Sequence, residues 1–290
     1  TVVPKDAYDE KPKPTPTDTV DVTHIVAEGA ASGLRFWSPD DPHLYTVRTV
    51  LKDNKGTVLD EQRIVTGFRE VAYDIKNGGL LINKKPIYLK GYAQRATNEW
   101  AVIGVANDWL SDYDMQLLRE SNANYVRWMH VAPKPAAIRS GDKYGVVSIC
   151  PAGDKEGDTK DRQWNQRVEA MRDTIIYFRN SPSVWFYEAG NNAISAEHMQ
   201  QMTDLRRALD PAGGRLMGCR TISSPEQIAA AEWAGTMIWR HDKSAKAAMH
   251  AVGKQIPMLE TEFKRDESPP RVWDDYTPPD YDYRNLWLGD

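Results

Sequence analysis

Cysteine is almost absent: Cys150 and Cys219 are the only two in 290 residues. Two thiols so far apart have no metal-site spacing. Both fall in segments that read as buried strands, where a thiol serves as a small core hydrophobe. Charge of one sign is missing too. The 37 basic and 41 acidic residues give a net charge of -4, with no run of like charges. That argues against a nucleic-acid partner, whose binders usually carry a basic face. No apolar stretch approaches the ~18 residues that a membrane helix needs. No N-terminal signal pattern is present. The chain begins at Thr1 rather than Met, so it is expected to be processed or cut from something longer. The location is therefore left open, leaning towards periplasmic or secreted. No metal set is evident, and neither metal nor cofactor is expected. Asp40-Asp41 and Asp274-Asp275 read as turn or solvated pairs rather than calcium ligands. Oligomeric state is not legible, and a homo-oligomer is admitted.

What is present fits a globular chain. Hydrophobic residues make up 41% and charged residues 27%, enough for a sizeable core in one large or two ordinary domains. Aromatics are abundant, with ten Trp and thirteen Tyr. Trp100, Trp109, Trp128, Trp233, Trp239 and Trp273 read as loop residues after strands. An indole there either stacks on the apolar face of a sugar ring or packs on the rim of the fold.

Residues 1–18 hold Pro4, Pro12, Pro14 and Pro16 and read as an extended leader or linker. A β-rich block follows over residues 19–75, expected to be an immunoglobulin-like sandwich or the latter part of one. Val20, Val22 and Val26 alternate as in a half-buried strand. Leu44–Leu51 and Thr57–Val65 flank the turn Asp53-Asn54-Lys55-Gly56 as a hairpin. Residues 67–88 look like a bridging hairpin.

From residue 76 to 290 the chain is expected to form a (β/α)8-type barrel, because strand and helix patterns alternate. Strands are predicted at 87–91, 123–129, 146–150, 184–187, 215–219, 237–239 and 258–262. Helices are predicted at 111–120, 135–144, 161–179, 195–209, 225–231 and 245–252. Seven units are one short of closure, and the tail from Glu267 offers no convincing eighth. Arg127, His130, Glu188, Asn191, Asn192, Trp239 and Glu262 fall at or after the carboxyl ends of these strands. That is where a barrel of this kind carries its site.

Several motifs resemble glycoside hydrolase family 2, the β-galactosidase and β-glucuronidase group. Phe36-Trp37-Ser38-Pro39-Asp40-Asp41-Pro42-His43-Leu44-Tyr45 is similar to a signature of its sandwich domain. Gly67-Phe68-Arg69, followed by Leu81 through Gly91, is similar to its lead-in to the barrel. Asn124-Tyr125-Val126-Arg127 with His130 and Pro133 resembles its second strand, with one extra residue before the proline. Asn180-Ser181-Pro182-Ser183-Val184 resembles its approach to the fourth. The resemblance spans about residues 34–265.

It implies a retaining mechanism with two carboxylates, one attacking the anomeric carbon and one serving as acid/base, roughly 5 Å apart. Thr261-Glu262-Phe263 matches the family's seventh-strand end, which makes Glu262 the implied nucleophile. A structural ion pair with Lys264 or Arg265 is the plain alternative, and Glu260 a weaker candidate one strand repeat deeper. The family's fourth strand ends in Gly-Asn-Glu, whereas this chain has Gly190-Asn191-Asn192. An Asn cannot give and retrieve a proton. Glu188 then ranks first as acid/base, with Glu197, Asp154 and Glu156 behind it. Its alternative role is a partner to Arg127 or Arg220. Asn191 matches the residue that binds the sugar 2-hydroxyl. His130 has an implied sugar contact; Asn192, with Trp128 and Trp239 as stacking indoles, is a further candidate contact. Arg127 is counted with them, though its fork suits a buried carboxylate clamp better. The expected activity is that of an exo-acting retaining β-glycosidase of β-galactosidase type on a terminal β-linked sugar. The competing expectation is a carbohydrate-binding or structural relative that has lost its acid.

Overall fold

The computed structural model describes residues 27–74, 76, 79–95, 107–153, 157–222, 224–236 and 252–262. The leader, the Val20–Val26 strand, the helix expected at 245–252 up to residue 251, Trp100, Trp239, Trp273, Asp154, Glu156 and Asp274-Asp275 lie outside these residues. The chain separates into two compact units, Thr1–Leu34 and Arg35–Asp290. In the first unit, residues 27–34 form neither helix nor strand. All that follows concerns the second.

Two antiparallel strands come first, β1 (Tyr45–Lys52) and β2 (Val58–Thr66). Their turn is closed by Asp53, whose Oδ1 accepts from the Lys55 and Thr57 amides at 2.9 and 2.7 Å. Gly56 sits at φ 85°, a left-handed conformation that costs glycine nothing. The segment expected as one bridging hairpin is a three-stranded antiparallel sheet, β3 (Val71–Asp74), β4 (Gly79–Ile82) and β5 (Lys85–Ile87). Asn83 and Lys84, both at positive φ, form the two-residue turn whose twist suits a hairpin.

The strand–helix alternation then runs β6 (Gly91–Arg95), α1 (Asp108–Glu120), β7 (Tyr125–Met129), α2 (Pro135–Tyr144), β8 (Val147–Pro151), α3 (Asp161–Phe178), β9 (Val184–Glu188), α4 (Ala196–Leu209), β10 (Leu216–Cys219), α5 (Pro225–Ala230), β11 (Trp233–Thr236) and β12 (Met258–Glu260). Strands β6 to β12 form one seven-stranded sheet in sequence order, each parallel to the next. This is the sheet of a TIM barrel. Three placements differ from the sequence reading. The first strand begins at Gly91, not residue 87. The sixth is described at Trp233–Thr236, so Trp233 is a strand residue, and the run expected at 237–239 lies outside the described residues. Helix α1 starts at Asp108, and Ser111 is a buried residue within it rather than a cap.

Two apolar clusters follow from strand alternation. Val126 and Trp128 of β7, Cys150 of β8 and Tyr187 of β9 pack against Met115, Ile138, Met171, Ile175 and Met199 of the helices. Tyr125 of β7, Val147 and Ile149 of β8, Trp185 and Phe186 of β9, Trp233 and Leu259 join Trp37 and Ile82 from the β-rich block. Helix α3 shows the pattern that makes the first cluster. Trp164, Met171, Ile175 and Phe178 fall on one buried stripe, at helical spacing.

The Trp37 motif is what roots the β-rich block on the barrel. Its indole is fully buried, donates to the Asp142 carbonyl at 2.8 Å and meets Trp185 edge to face, with centroids 6.3 Å apart. Arg69 completes the joint. It donates to the carbonyls of Pro182 and Val184 at 2.5 and 2.7 Å and lies over the Trp185 ring.

Candidate active site

Arg127 is the hub. It lies on β7 facing away from the helices, and its side chain has no exposed surface. Parallel register places it opposite Ile149 of β8, while Glu188 of β9 lies opposite Pro151. Glu188 is thus two residues further along the barrel axis, about 6–7 Å, a span that only a long side chain bridges. Arg127 does so as a fork. Nε donates to Glu188 Oε2 and Nη2 to Oε1, both at 2.7 Å. Nη2 also donates to Asn191 Oδ1 at 2.9 Å, and Nη1 donates to Glu262 Oε1 at 2.6 Å. A guanidinium only donates, so the Asn191 oxygen must face it. The amide NH2 of Asn191 is thereby turned the other way, and it meets no acceptor among the described residues.

Glu262 lies two residues past β12. Thr261, between them, turns both its amide and its hydroxyl onto the Thr236 carbonyl, each at 2.9 Å. The Glu262 side chain is 13% exposed. Arg220, at the end of β10, approaches the same Oε1 at 3.6 Å. Both contacts fall on one oxygen, and Oε2 has no donor among the described residues. The charges balance locally, two guanidinium groups against two carboxylates.

The two carboxylates feel opposite environments. Burial works against the charge of Glu262. The hydrogen bond and charge of Arg127, with smaller help from Arg220 and His130, outweigh it and hold the carboxyl below its ordinary value. Burial pushes Glu188 above its ordinary value, opposed by Arg127. A carboxylate pair split in this way is a familiar basis for dividing acid from nucleophile. Geometry comes first, however. Glu188 has no exposed side-chain surface, and both its oxygens already accept from Arg127. It cannot touch a substrate in this arrangement, so its geometry is that of the clamp partner.

The family is decided by a match over most of the chain: "Glycosyl hydrolases family 2, TIM barrel domain" over residues 73–277 and "Glycosyl hydrolases family 2" over residues 5–69. The chain belongs to glycosyl hydrolases family 2. A β-glucuronidase from Formosa agariphila is 33% identical over 257 residues, 87% of this chain and 25% of that protein. A β-galactosidase from Alteromonas mediterranea is 25% identical over 186 residues, 61% of this chain and 18% of its own length. A solved structure, described as a β-glucuronidase from glycoside hydrolase family 2, superposes with a TM-score of 0.71 at 31% identity, covering 87% of this chain and 26% of that one. The chain therefore spans about a quarter or less of the length of these relatives.

Within the family 2 barrel, Arg127, Glu188, Asn191 and Glu262 converge, and His130 is buried close enough to act on the Glu262 charge. Asn192 is half-buried on the same turn as Asn191. Trp128 does not converge, which corrects its expected sugar contact. It faces the helices, 4% exposed, and donates to Ser148 Oγ at 3.2 Å. Trp233 is likewise core, donating to the Tyr187 carbonyl at 3.0 Å. Glu260 and Glu197 are exposed, and the strand period that would align Glu260 with Glu262 ends at Glu260. Asp40 and Asp41 pair with Arg119 and Arg35. Trp239 lies outside the described residues. The sequence reading did not place Arg220 beside Glu262. Its signal was available, an arginine immediately after the fifth parallel strand.

Proposed function

We propose that this chain carries the nucleophile side of a retaining β-glycosidase site that acts on a terminal β-linked sugar of an oligo- or polysaccharide. One observation carries the reading. Glu262 is held at one oxygen by Arg127 at 2.6 Å, kept ionised, and left partly exposed. An ionised carboxylate with one fixed oxygen and one available oxygen suits attack on an anomeric carbon. Arg127 draws charge from both carboxylates and fixes their orientation, and Glu188 is its buried buttress. Asn191 offers its oriented NH2 to a sugar hydroxyl, and His130 and Asn192 line the same side.

For the sugar, the relative of higher identity bears the name β-glucuronidase, and relatives at 25–28% bear the name β-galactosidase. A β-glucuronide is therefore the first substrate to test and a β-galactoside the second. The competing reading is a binding relative without turnover. It is favoured by Asn192, which cannot titrate, at the end of the strand where the family carries its acid. A 2-deoxy-2-fluoro glycosyl fluoride separates the two, since it needs no acid to leave. Covalent mass on the peptide that contains Glu262, lost in Glu262→Gln, supports the glycosidase. Saturable binding with no covalent adduct supports the binding relative. In Asn192→Glu, turnover of substrates with poor leaving groups should rise by at least about tenfold, the low end of what a placed acid contributes being ~100-fold.

A further inference from the structure

The turn that joins β9 to α4 carries Asn191 and Asn192, and it is pinned by side chains that contact no carboxylate of the site. The Cys219 thiol at the end of β10 lies 3.0 Å from the Gly190 carbonyl and 3.2 Å from that of Asn192. The Arg220 amide donates to the same Gly190 carbonyl at 3.1 Å. Across the turn, Gln227 Nε2 donates to the Ile194 carbonyl at 2.6 Å, while its Oε1 accepts from the Ser224 amide at 3.1 Å and caps α5. Gly190 leaves no slack. A Cβ there would stand 2.9 Å from Ile194 Cγ2 and 3.1 Å from the Asn192 carbonyl. Burial pushes the Cys219 thiol up to about 12, so it stays a protonated donor rather than a thiolate.

We propose that Cys219 and Gln227 are positioning residues that fix the Gly190–Ile194 turn, and with it the Asn191 and Asn192 side chains, against the Arg127–Glu262 pair. The geometry is transmitted through the backbone. Asn191 Oδ1 meets Arg127 Nη2 at 2.9 Å, and a shift of about 1 Å in the turn breaks that contact. Misplacements of this size cost up to ~100-fold in turnover. Cys219 holds the two carbonyls that bracket Asn191, and Gln227 holds the far end of the turn. The effect on turnover rests on the proposed glycosidase reading, whereas the fixing of the turn does not.

Hydrogen–deuterium exchange of the 290-residue chain tests it. Cys219→Val keeps a small apolar side chain and removes the donor, and Cys219→Ser restores a donor. Gln227→Glu keeps the oxygen that caps α5 and removes the NH2. In Cys219→Val and Gln227→Glu, amides of the peptide over 189–195 should exchange roughly tenfold faster, the loss of one hydrogen bond. Those of α3 and β8 should be unchanged, and Cys219→Ser should lie close to the parent. Unchanged turn exchange in both donor-less variants overturns the proposal. So does acceleration spread evenly over the chain, which marks a packing defect. Should Cys219→Val fail to fold, Gln227→Glu decides. Labelling of Glu262 by the fluoro-sugar should slow about 10- to 100-fold in the same two variants and recover in Cys219→Ser. A parent chain that never labels counts against the glycosidase reading, and the exchange result then still decides the positioning role.

Discussion

Replacing Glu188 with Gln tests whether this carboxylate is a buttress or a proton donor. The Arg127 and Glu188 side chains are both wholly buried and share two hydrogen bonds of 2.7 Å. Gln retains one acceptor oxygen and turns an NH2 towards a guanidinium that can only donate. One bond is lost and two donors face each other without water. Removing one partner of a buried ion pair costs about 3–5 kcal/mol. The lower end applies here, because Arg127 keeps Glu262. For a chain of this size, about 3 kcal/mol lowers Tm by roughly 6–12 °C, a large part of the ~5–15 kcal/mol that stabilises a domain. Circular-dichroism melts of the parent and the variant at pH 7, beside initial rates on an aryl β-glucuronide, give the answer. A proton donor would show the reverse signature, an unchanged melt with turnover lost mainly for poor leaving groups. A melt within about 2 °C of the parent together with that loss would refute the argument made from burial.

Three further outcomes follow from individual contacts. Burial raises the Asp142 carboxyl from 3.8 to about 6 against the hydrogen bonds of Ser183, so the folded chain takes up a proton in that window that the unfolded chain does not. Stability from this group is therefore highest at the acidic end and falls as pH rises through about 6. Asp142→Asn keeps the oxygen that accepts from the Ser183 amide and cannot titrate. Its melts should be flatter than the parent's over that window and higher at pH 7 by up to roughly 3 kcal/mol, and an unchanged slope would speak against it. In Gly218→Ala the new Cβ would stand 2.2 Å from the Trp233 carbonyl oxygen, a backbone atom that cannot step aside. A loss of about 3 kcal/mol or more is expected in denaturant titration, and a midpoint like the parent's would rule the clash out. Trp128→Phe removes the indole bond to Ser148 on the helix side of the sheet. Melting should fall by about 1–2 kcal/mol, while sugar binding by calorimetry stays within a factor of about two, well under the ~1.4 kcal/mol of a tenfold change.

The alternation of strand and helix was legible because its cues are local: strand-length apolar runs, Pro135 at the start of α2, Gly145 at φ 73° at its end. A parallel sheet in sequence order was anticipated, with five of its strands close to where they stand, and so was the family, since its motifs are contiguous in sequence. Trp233-Ala234-Gly235 does not read as a strand because the run is short and holds a glycine, and only its pairing with β10 and β12 identifies it. Side-chain destination was the less legible part. Trp128 and Arg127 are adjacent in sequence and lie on opposite faces of β7, and parity depends on which residue the neighbouring strands accept as a partner. Glu188 and Glu262 both stand at or just past the end of a strand; the Thr261-Glu262-Phe263 motif singles out Glu262, but no pattern of residues says whether Glu188 is exposed. What separates them is that Arg127 reaches across the barrel, covers both oxygens of one and grips a single oxygen of the other. Local residue patterns were enough to name the kind of barrel and the residues able to meet at its carboxyl end. Which carboxylate is shut away from solvent emerges when the strands assemble, because burial and hydrogen bonding belong to the packed sheet and to no single segment.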